Sequence, residues 1–232
     1  MATVHHLETW ATTKADEDGM NEGHALLWRR MIALMTETSL EGRRVLDFGC
    51  NQGGLLRMLH QSHGYAQALG VDIAAESIEK ARTYSPLIPA RFEVRETLDG
   101  LENQFDVALS HEVLYLIPDL QGHARQIYAS LKPGGVYYAA CGCHRDNPDW
   151  QDWKPEIQAK SNLTVQDYSL DDYASAFDQA GFQVAARPFQ VDAFVPIKIG
   201  CSLMPKVATK LNYYTSVKTL FRLVKTSKVT PF

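Results

Sequence analysis

From residue 44 onward, short apolar runs alternate with stretches whose apolar positions recur at helical spacing. The pattern predicts strands over 44–48, 68–73, 91–95, 106–110 and 136–141, with helices over 55–60, 76–84 and 123–131 between them. Such alternation is the signature of parallel βαβ units, a doubly wound α/β sheet with helices on both faces. Ahead of it, Leu26, Leu27, Met31, Leu34 and Met35 recur at helical spacing. Residues 1–42 therefore read as a helical cap, interrupted by a polar loop from Lys14 to Gly23. Residues 144–166 are rich in Asp, Asn, Pro and Trp and read as a loop or insertion. Ser169 with Asp172 three residues on predicts a capped helix start, and Gly181 a stop. Two strands, 182–186 and 191–197, follow closely enough to pair antiparallel. Leu203, Val207, Leu211, Tyr214, Val217, Phe221 and Val224 then recur three or four apart, the stripe of one helix. The chain thus divides into a cap (1–42), a main domain (43–197) and a basic amphipathic helical tail (198–232).

Composition narrows the class. At 232 residues, 45% of them hydrophobic, the chain can bury one complete α/β core. No apolar run approaches the ~20 residues that span a bilayer. No basic segment followed by an apolar one opens the sequence, so a secretory signal is not expected. Cys50, Cys141, Cys143 and Cys201 are too few and too unevenly placed for a disulfide framework. A cytoplasmic location is the expectation. Charge is unevenly distributed: residues 1–192 hold all 27 acidic residues, whereas residues 193–232 hold seven basic ones and no acid. On a packed helix those lysines sit in water. As a functional feature they would suit RNA, a carrier-bound acyl group or a membrane surface. The acidic body argues against a broad nucleic-acid face.

The first predicted strand runs into Asp47-Phe48-Gly49-Cys50-Asn51-Gln52-Gly53-Gly54, ahead of a helix. Glycines there let the backbone turn tightly and a ligand approach the main chain. The next strand ends in Asp72-Ile73, and Asp72 lies 19 residues after Gly53. That is close to the ~20 expected of an acid that accepts hydrogen bonds from ribose hydroxyls. An Asp at a strand end also caps the following helix, and the two roles are compatible.

These residues resemble the first motif of class I S-adenosylmethionine-dependent methyltransferases, an acid followed by glycines at alternate positions. Three further segments match in the family's order: Phe105 to Leu114, Leu131-Lys132-Pro133-Gly134-Gly135, and Ala180-Gly181-Phe182. The resemblance spans about residues 40–197. It implies a mostly parallel seven-stranded sheet closed by an antiparallel pair, with S-adenosyl-L-methionine as cofactor. It places Asp47, Phe48, Gly49, Cys50, Asn51, Gly53, Asp72, Ile73, Glu96, Thr97, Ser110 and His111 around that cofactor. Two positions depart from the pattern. Asn51 stands where the family has its middle glycine, and asparagine tolerates left-handed backbone. Glu96 is the nearest acid to the third-strand Asp expected beside the adenine amino group. A dinucleotide dehydrogenase, the physical rival, would use the loop for pyrophosphate, and no basic residue lies in 47–56.

Methyl transfer from a sulfonium needs alignment, and a general base as well when the acceptor is a hydroxyl or a protonated amine. Candidates lie after the fourth and fifth strands: His111 and His144 as base or orienting group, and Tyr115 in the acceptor pocket. Trp150 and Trp153 line that pocket or pack the 144–166 loop. Trp10 and Trp28 fold over the top. Cys141-Gly142-Cys143-His144, with no second cluster, is a poor zinc site, so no metal is expected. The expected activity is methylation of an O or N atom on a small molecule. The alternatives are a tRNA or RNA methyltransferase guided by the basic tail, and a non-catalytic cofactor-binding or interaction domain.

Overall fold

The computed structural model describes residues 7–15, 19–197, 204 and 206–226. Among them the expected βαβ alternation is present. Helix α1 (Met20–Ala33) leads into β1 (Arg44–Phe48), α2 (Gly54–His63), β2 (Gln67–Asp72), α3 (Ala75–Tyr84) and β3 (Ala90–Val94). Then come β4 (Phe105–His111), a single 3-10 turn (Leu114–Leu116), α4 (Leu120–Ser130) and β5 (Leu131–Cys141). Strands β1, β2, β4 and the second half of β5 are short, largely buried apolar runs because both faces of the sheet are covered there. The seven strands lie in the order β3-β2-β1-β4-β5-β7-β6. The order reverses between β1 and β4, which opens a crevice beyond their carboxyl ends. Right-handed crossovers put α2 and α3 on one face and α4 on the other. Helix α1 packs on α2.

Sequence and structure diverge in three places. Helix α1 begins at Met20, inside the segment expected to be loop. Residues 144–166 contain a helix, α5 (Trp150–Lys160), with Pro155 inside it and Trp150, Trp153 and Ile157 buried. Burial of that apolar face outweighs the cost of the proline. The third divergence is the tail. Helix α6 (Leu170–Gln179) has the expected capping box: Ser169 Oγ accepts from the Asp172 N–H, and Asp172 accepts from the Ser169 N–H. Strand β6 (Phe182–Pro188) follows. Its partner, however, is not 191–197, which forms no strand and leaves Phe194 fully exposed. The tail supplies the partner instead. After a short α7 (Val207–Asn212) and a π-helical turn (Tyr213–Val217), the chain extends into β7 (Thr219–Lys225).

Strand β7 inserts between β5 and β6, antiparallel to both. The reason lies in β5. From Val136 to Cys141 that strand is buried throughout, so it cannot be a sheet edge, and its main-chain groups need partners on both sides. Thr219–Lys225 answers them from Val136↔Val224 to Cys141↔Thr219, and Leu220, Phe221 and Leu223 enter the core. The helical stripe therefore breaks after Val217, and the boundary drawn at 197 does not separate the tail from the sheet. Leu203, Lys198, Cys201 and Lys228 lie outside the described residues. Among the described residues no helix is long and apolar enough to cross a membrane.

Candidate active site

A cavity of about 680 Å³ lies beyond the carboxyl ends of β1, β2 and β4. One end is built from the glycine loop. The backbone turns through positive φ at Gly49 (75°), Asn51 (44°) and Gly53 (72°), so asparagine does hold the left-handed position its sequence suggested. Asp47, Phe48, Gly49, Cys50 and Asn51 line this end, with Asp72 and Ile73 from β2 and Glu96 and Thr97 after β3. Gly53 stands behind the wall. A Cβ there would sit 2.7 Å from the Phe92 ring, so glycine lets the head of α2 close onto β3. Asp72 accepts hydrogen bonds from the Asn51 N–H (2.8 Å) and the Ala74 N–H (2.9 Å). It thereby ties the loop to β2 and heads α3 while its carboxylate still faces the cavity.

Asp47 is buried and its Oδ2 has no hydrogen-bond partner. Burial, and secondarily the charge of Asp72, pushes its pKa up to about 8. An unsatisfied carboxyl in a ligand cavity awaits a donor or a cation. No basic side chain lies in the loop, and Arg95, which lines the cavity beside Glu96, is paired with Glu93 (2.9 Å), so this end suits a nucleoside bearing a cationic group and not a pyrophosphate.

The other end is aromatic. His111 ends β4; its ring stands edge-on to His24 of α1 (centroids 5.1 Å apart) and to Trp28 (6.4 Å). His111 Nε2 is buried in this wall without a partner. Burial first, then the nearby Lys218 and His24, holds its pKa well below the ordinary value, and similar causes hold His24 at about 4. Both rings are neutral near pH 7. Next to His111, Glu112 adopts φ 57°, a strained conformation for a non-glycine residue. Its carboxylate accepts from Tyr213 Oη (2.7 Å), from the Gly142 N–H (3.1 Å) and from the fully buried Lys218 Nζ. Burial would raise the Glu112 pKa, but Lys218 and these hydrogen bonds bring it below the ordinary value.

Three sequence candidates are placed elsewhere. His144 is not in the cavity wall; its Nε2 lies 3.1 Å from the Val217 carbonyl oxygen. Ser110 does not line the cavity; its hydroxyl lies 2.6 Å from Tyr137 Oη, which also meets His123 Nε2 at 3.2 Å. Trp150 packs α5 and donates to Asp167 (2.7 Å). Tyr115, Trp10, Trp28, Trp153 and Cys143 do line the cavity. Burial, and then Cys143 and Glu112, pushes the Tyr115 hydroxyl well above its usual range, so it is a neutral wall group. His24, Lys160, Lys210, Tyr213 and Tyr214 also line the cavity and carried no motif. Among the described residues, no group of three or more His, Cys, Asp or Glu side chains could hold a metal ion.

The family model for the methyltransferase domain matches residues 20–187. This chain belongs to the class I S-adenosylmethionine-dependent methyltransferases. Its cofactor is S-adenosylmethionine, and the glycine turn, Asp72 and the unsatisfied Asp47 fit that group. The chain is 36% identical over 105 residues to a ubiquinone biosynthesis O-methyltransferase of Methylocella silvestris, covering 44% of this chain and 40% of that protein. It is 31% identical over 114 residues to the 2-methyl-6-phytyl-1,4-hydroquinone methyltransferase of Synechocystis, covering 48% and 36%. The matched stretches thus span about two fifths of the length of these curated relatives. Its fold resembles a chain from the complex of the Haloferax volcanii Trm112 methyltransferase activator with a methyltransferase. That likeness has a TM-score of 0.79 at 24% identity and covers 92% of this chain and 95% of the other. The phosphoethanolamine N-methyltransferase 2 of Haemonchus contortus, solved with S-adenosyl-L-methionine, shares the fold at a TM-score of 0.69 and 18% identity. There the match covers 93% of this chain and 59% of the other.

Proposed function

We propose that this methyltransferase transfers a methyl group to a hydroxyl oxygen of a small, planar, apolar acceptor, a phenol or hydroquinone. The observation that carries this reading is His111: a buried imidazole with an unpartnered Nε2, set in an aromatic cavity wall beside the glycine loop. Bound S-adenosylmethionine supplies an electrophilic methyl group. In this reading Asp72 accepts from its ribose, Asp47 and the loop hold its cationic methionine end, and Glu96 and Thr97 flank its adenine. Trp28 and Tyr115 confine a flat ring and exclude water. His111, kept neutral by burial, would accept a hydrogen bond from the acceptor hydroxyl and take its proton as the methyl carbon exchanges its bond to sulfur for one to oxygen. The relative named for O-methylation in ubiquinone biosynthesis supports an oxygen acceptor, and the one named for a hydroquinone supports an aromatic ring as its carrier.

The tail favours a small molecule over RNA. Lys218 is buried on Glu112. Lys225 donates to the Leu131 carbonyl (2.6 Å), and Arg222 donates to Tyr138 Oη (3.3 Å). These cations are engaged in the fold. The test is incubation with labelled S-adenosylmethionine and three acceptors: a catechol, an aromatic amine and bulk RNA. Label should enter the catechol. H111A should lower kcat by ~10²–10⁴-fold, the range for losing a general base, and leave S-adenosylhomocysteine affinity unchanged. Label in the amine or RNA alone, or full turnover by H111A, would overturn the reading.

A further inference from the structure

A strap of chain joins the two rims of the cavity. Residues 7–13 form neither a helix nor a regular strand, and their main chain is bonded at both sides. At the cofactor rim, Leu7 pairs with Ala74 in a parallel bridge. Its N–H donates to the Ile73 carbonyl (3.2 Å) and its carbonyl accepts from the Ala75 N–H (2.8 Å). The Glu76 N–H donates to the Glu8 carbonyl (3.0 Å). This is the turn directly after Asp72. At the acceptor rim, just beyond α5, Ala11 pairs with Ser161 in an antiparallel bridge, and the Thr12 N–H donates to the Lys160 carbonyl (2.9 Å). Between the two anchors Trp10 enters the cavity wall, as do Ile73 from one rim and Ile157 and Leu163 from the other.

One residue closes the acceptor-rim seam. Asn162 donates from Nδ2 to the Thr9 carbonyl (3.0 Å) and the Ala11 carbonyl (3.2 Å), and from its main-chain N–H to the Trp10 carbonyl (2.8 Å). Three successive carbonyls of the strap are thus held at one point. Asparagine suits the task because its side-chain amide carries two donors beside the one on its backbone. Ala11 is buried under this clamp. Asn162 itself is exposed and does not line the cavity. Among the described residues its hydrogen bonds all go to the strap.

We propose that Asn162 is a positioning residue for the cofactor: by clamping the strap at the acceptor rim it keeps Trp10 as a roof over the cavity, and so governs how long S-adenosylmethionine stays bound without touching it. The strap's other anchor is the turn that follows Asp72, so a nucleoside held by Asp72 lies beside the roof. It leaves when the acceptor-rim seam opens. Opening exchanges the seam's hydrogen bonds for bonds to water, at a modest net cost for each. The clamp acts on the cofactor whichever acceptor the enzyme uses.

The test is the release of labelled S-adenosylhomocysteine from the full chain, chased with unlabelled ligand. N162A removes the two side-chain bonds to the strap and should release the label roughly tenfold faster. Its Tm should change little, because the side chain is exposed. W10A should also release faster, and N162A/W10A no faster than W10A, since the clamp works through that ring. Ala11 and Ser161 are partners in an antiparallel bridge, a spacing that a disulfide can span. In N162A/A11C/S161C, oxidation after loading should restore slow release, and dithiothreitol should undo it. The proposal is overturned if N162A or W10A releases at the wild-type rate, whatever its Tm. It is overturned equally if the two accelerations multiply in N162A/W10A, or if the oxidised triple variant releases as fast as N162A.

Discussion

The two ends of the cavity are built in different ways. The cofactor end comes from contiguous motifs: one loop after β1, the last residues of β2, and the turn after β3. Each side chain is placed by its own strand, and Asp72 joins the loop to β2 through the Asn51 N–H. The acceptor end has no such unit. Its wall takes His24 from α1, His111 and Glu112 from the end of β4, Trp153 and Lys160 from α5, and Lys210, Tyr213 and Tyr214 from the tail. These meet only because β7 enters the sheet and because Lys218 and Tyr213 converge on Glu112. One end depends on local backbone geometry, which a common cofactor needs unchanged. The other depends on long-range assembly, which can vary with the acceptor.

Truncation after Ile197 would break this contrast most severely. It removes β7, and with it three core side chains, Leu220, Phe221 and Leu223. At ~1.5–3 kcal/mol each, their loss rivals the whole stability of a domain. The truncated chain should show no cooperative unfolding transition by circular dichroism. A truncated chain that melted normally and still bound S-adenosylhomocysteine would make the tail an appendage.

A smaller lesion should separate wall from sheet. K218M leaves the Glu112 carboxylate buried and unpaired, which should cost ~3–5 kcal/mol in urea unfolding. E112Q/K218M should recover much of that loss, because no lone charge remains. Equal destabilisation of the single and double variants would show that Lys218 acts through packing alone.

On the cofactor side, D72A should weaken S-adenosylhomocysteine binding by ~1–3 kcal/mol, the range for a hydrogen bond to a charged group. It should also lower Tm, because the carboxylate holds the N–H groups of Asn51 and Ala74. Calorimetry and melting on the same variant measure both. A loss of Tm with full affinity would leave Asp72 only its structural role.

The smallest signal is in pH. Asp47 has its folded pKa raised from 3.8 to about 8. Across that window the folded state holds a proton that the unfolded state releases, so its contribution falls as pH rises. His24 and His123 are lowered from 6.5 to about 4 by burial. Their contribution is present above pH 6.5 and is lost as pH falls toward 4. The two effects oppose below pH 6.5, and only Asp47 acts above it. Ligand-free stability should therefore decline between pH 6.5 and 8, and D47N should flatten the decline. Affinity for S-adenosylhomocysteine should rise over the same interval in the wild type and not in D47N.

The sequence by itself determined the parallel core, the glycine loop, Asp72 and the capping box of α6, because each is encoded within a few consecutive residues. It also marked His111 and Tyr115, which follow directly from β4. Tertiary structure decided the rest. The run from Thr219 to Lys225 fits a helical stripe as well as a strand, and only the unpaired side of buried β5 made it β7. His144 looked equivalent to His111, yet Val217 came within reach of its ring and took it out of the cavity wall. Ser110 turned toward Tyr137 because alternate residues of a strand point to opposite faces. The partners of Glu112 lie up to 106 residues away along the chain. No local pattern records such a meeting; it follows from which strand edges and apolar faces remain to be covered once the core has formed.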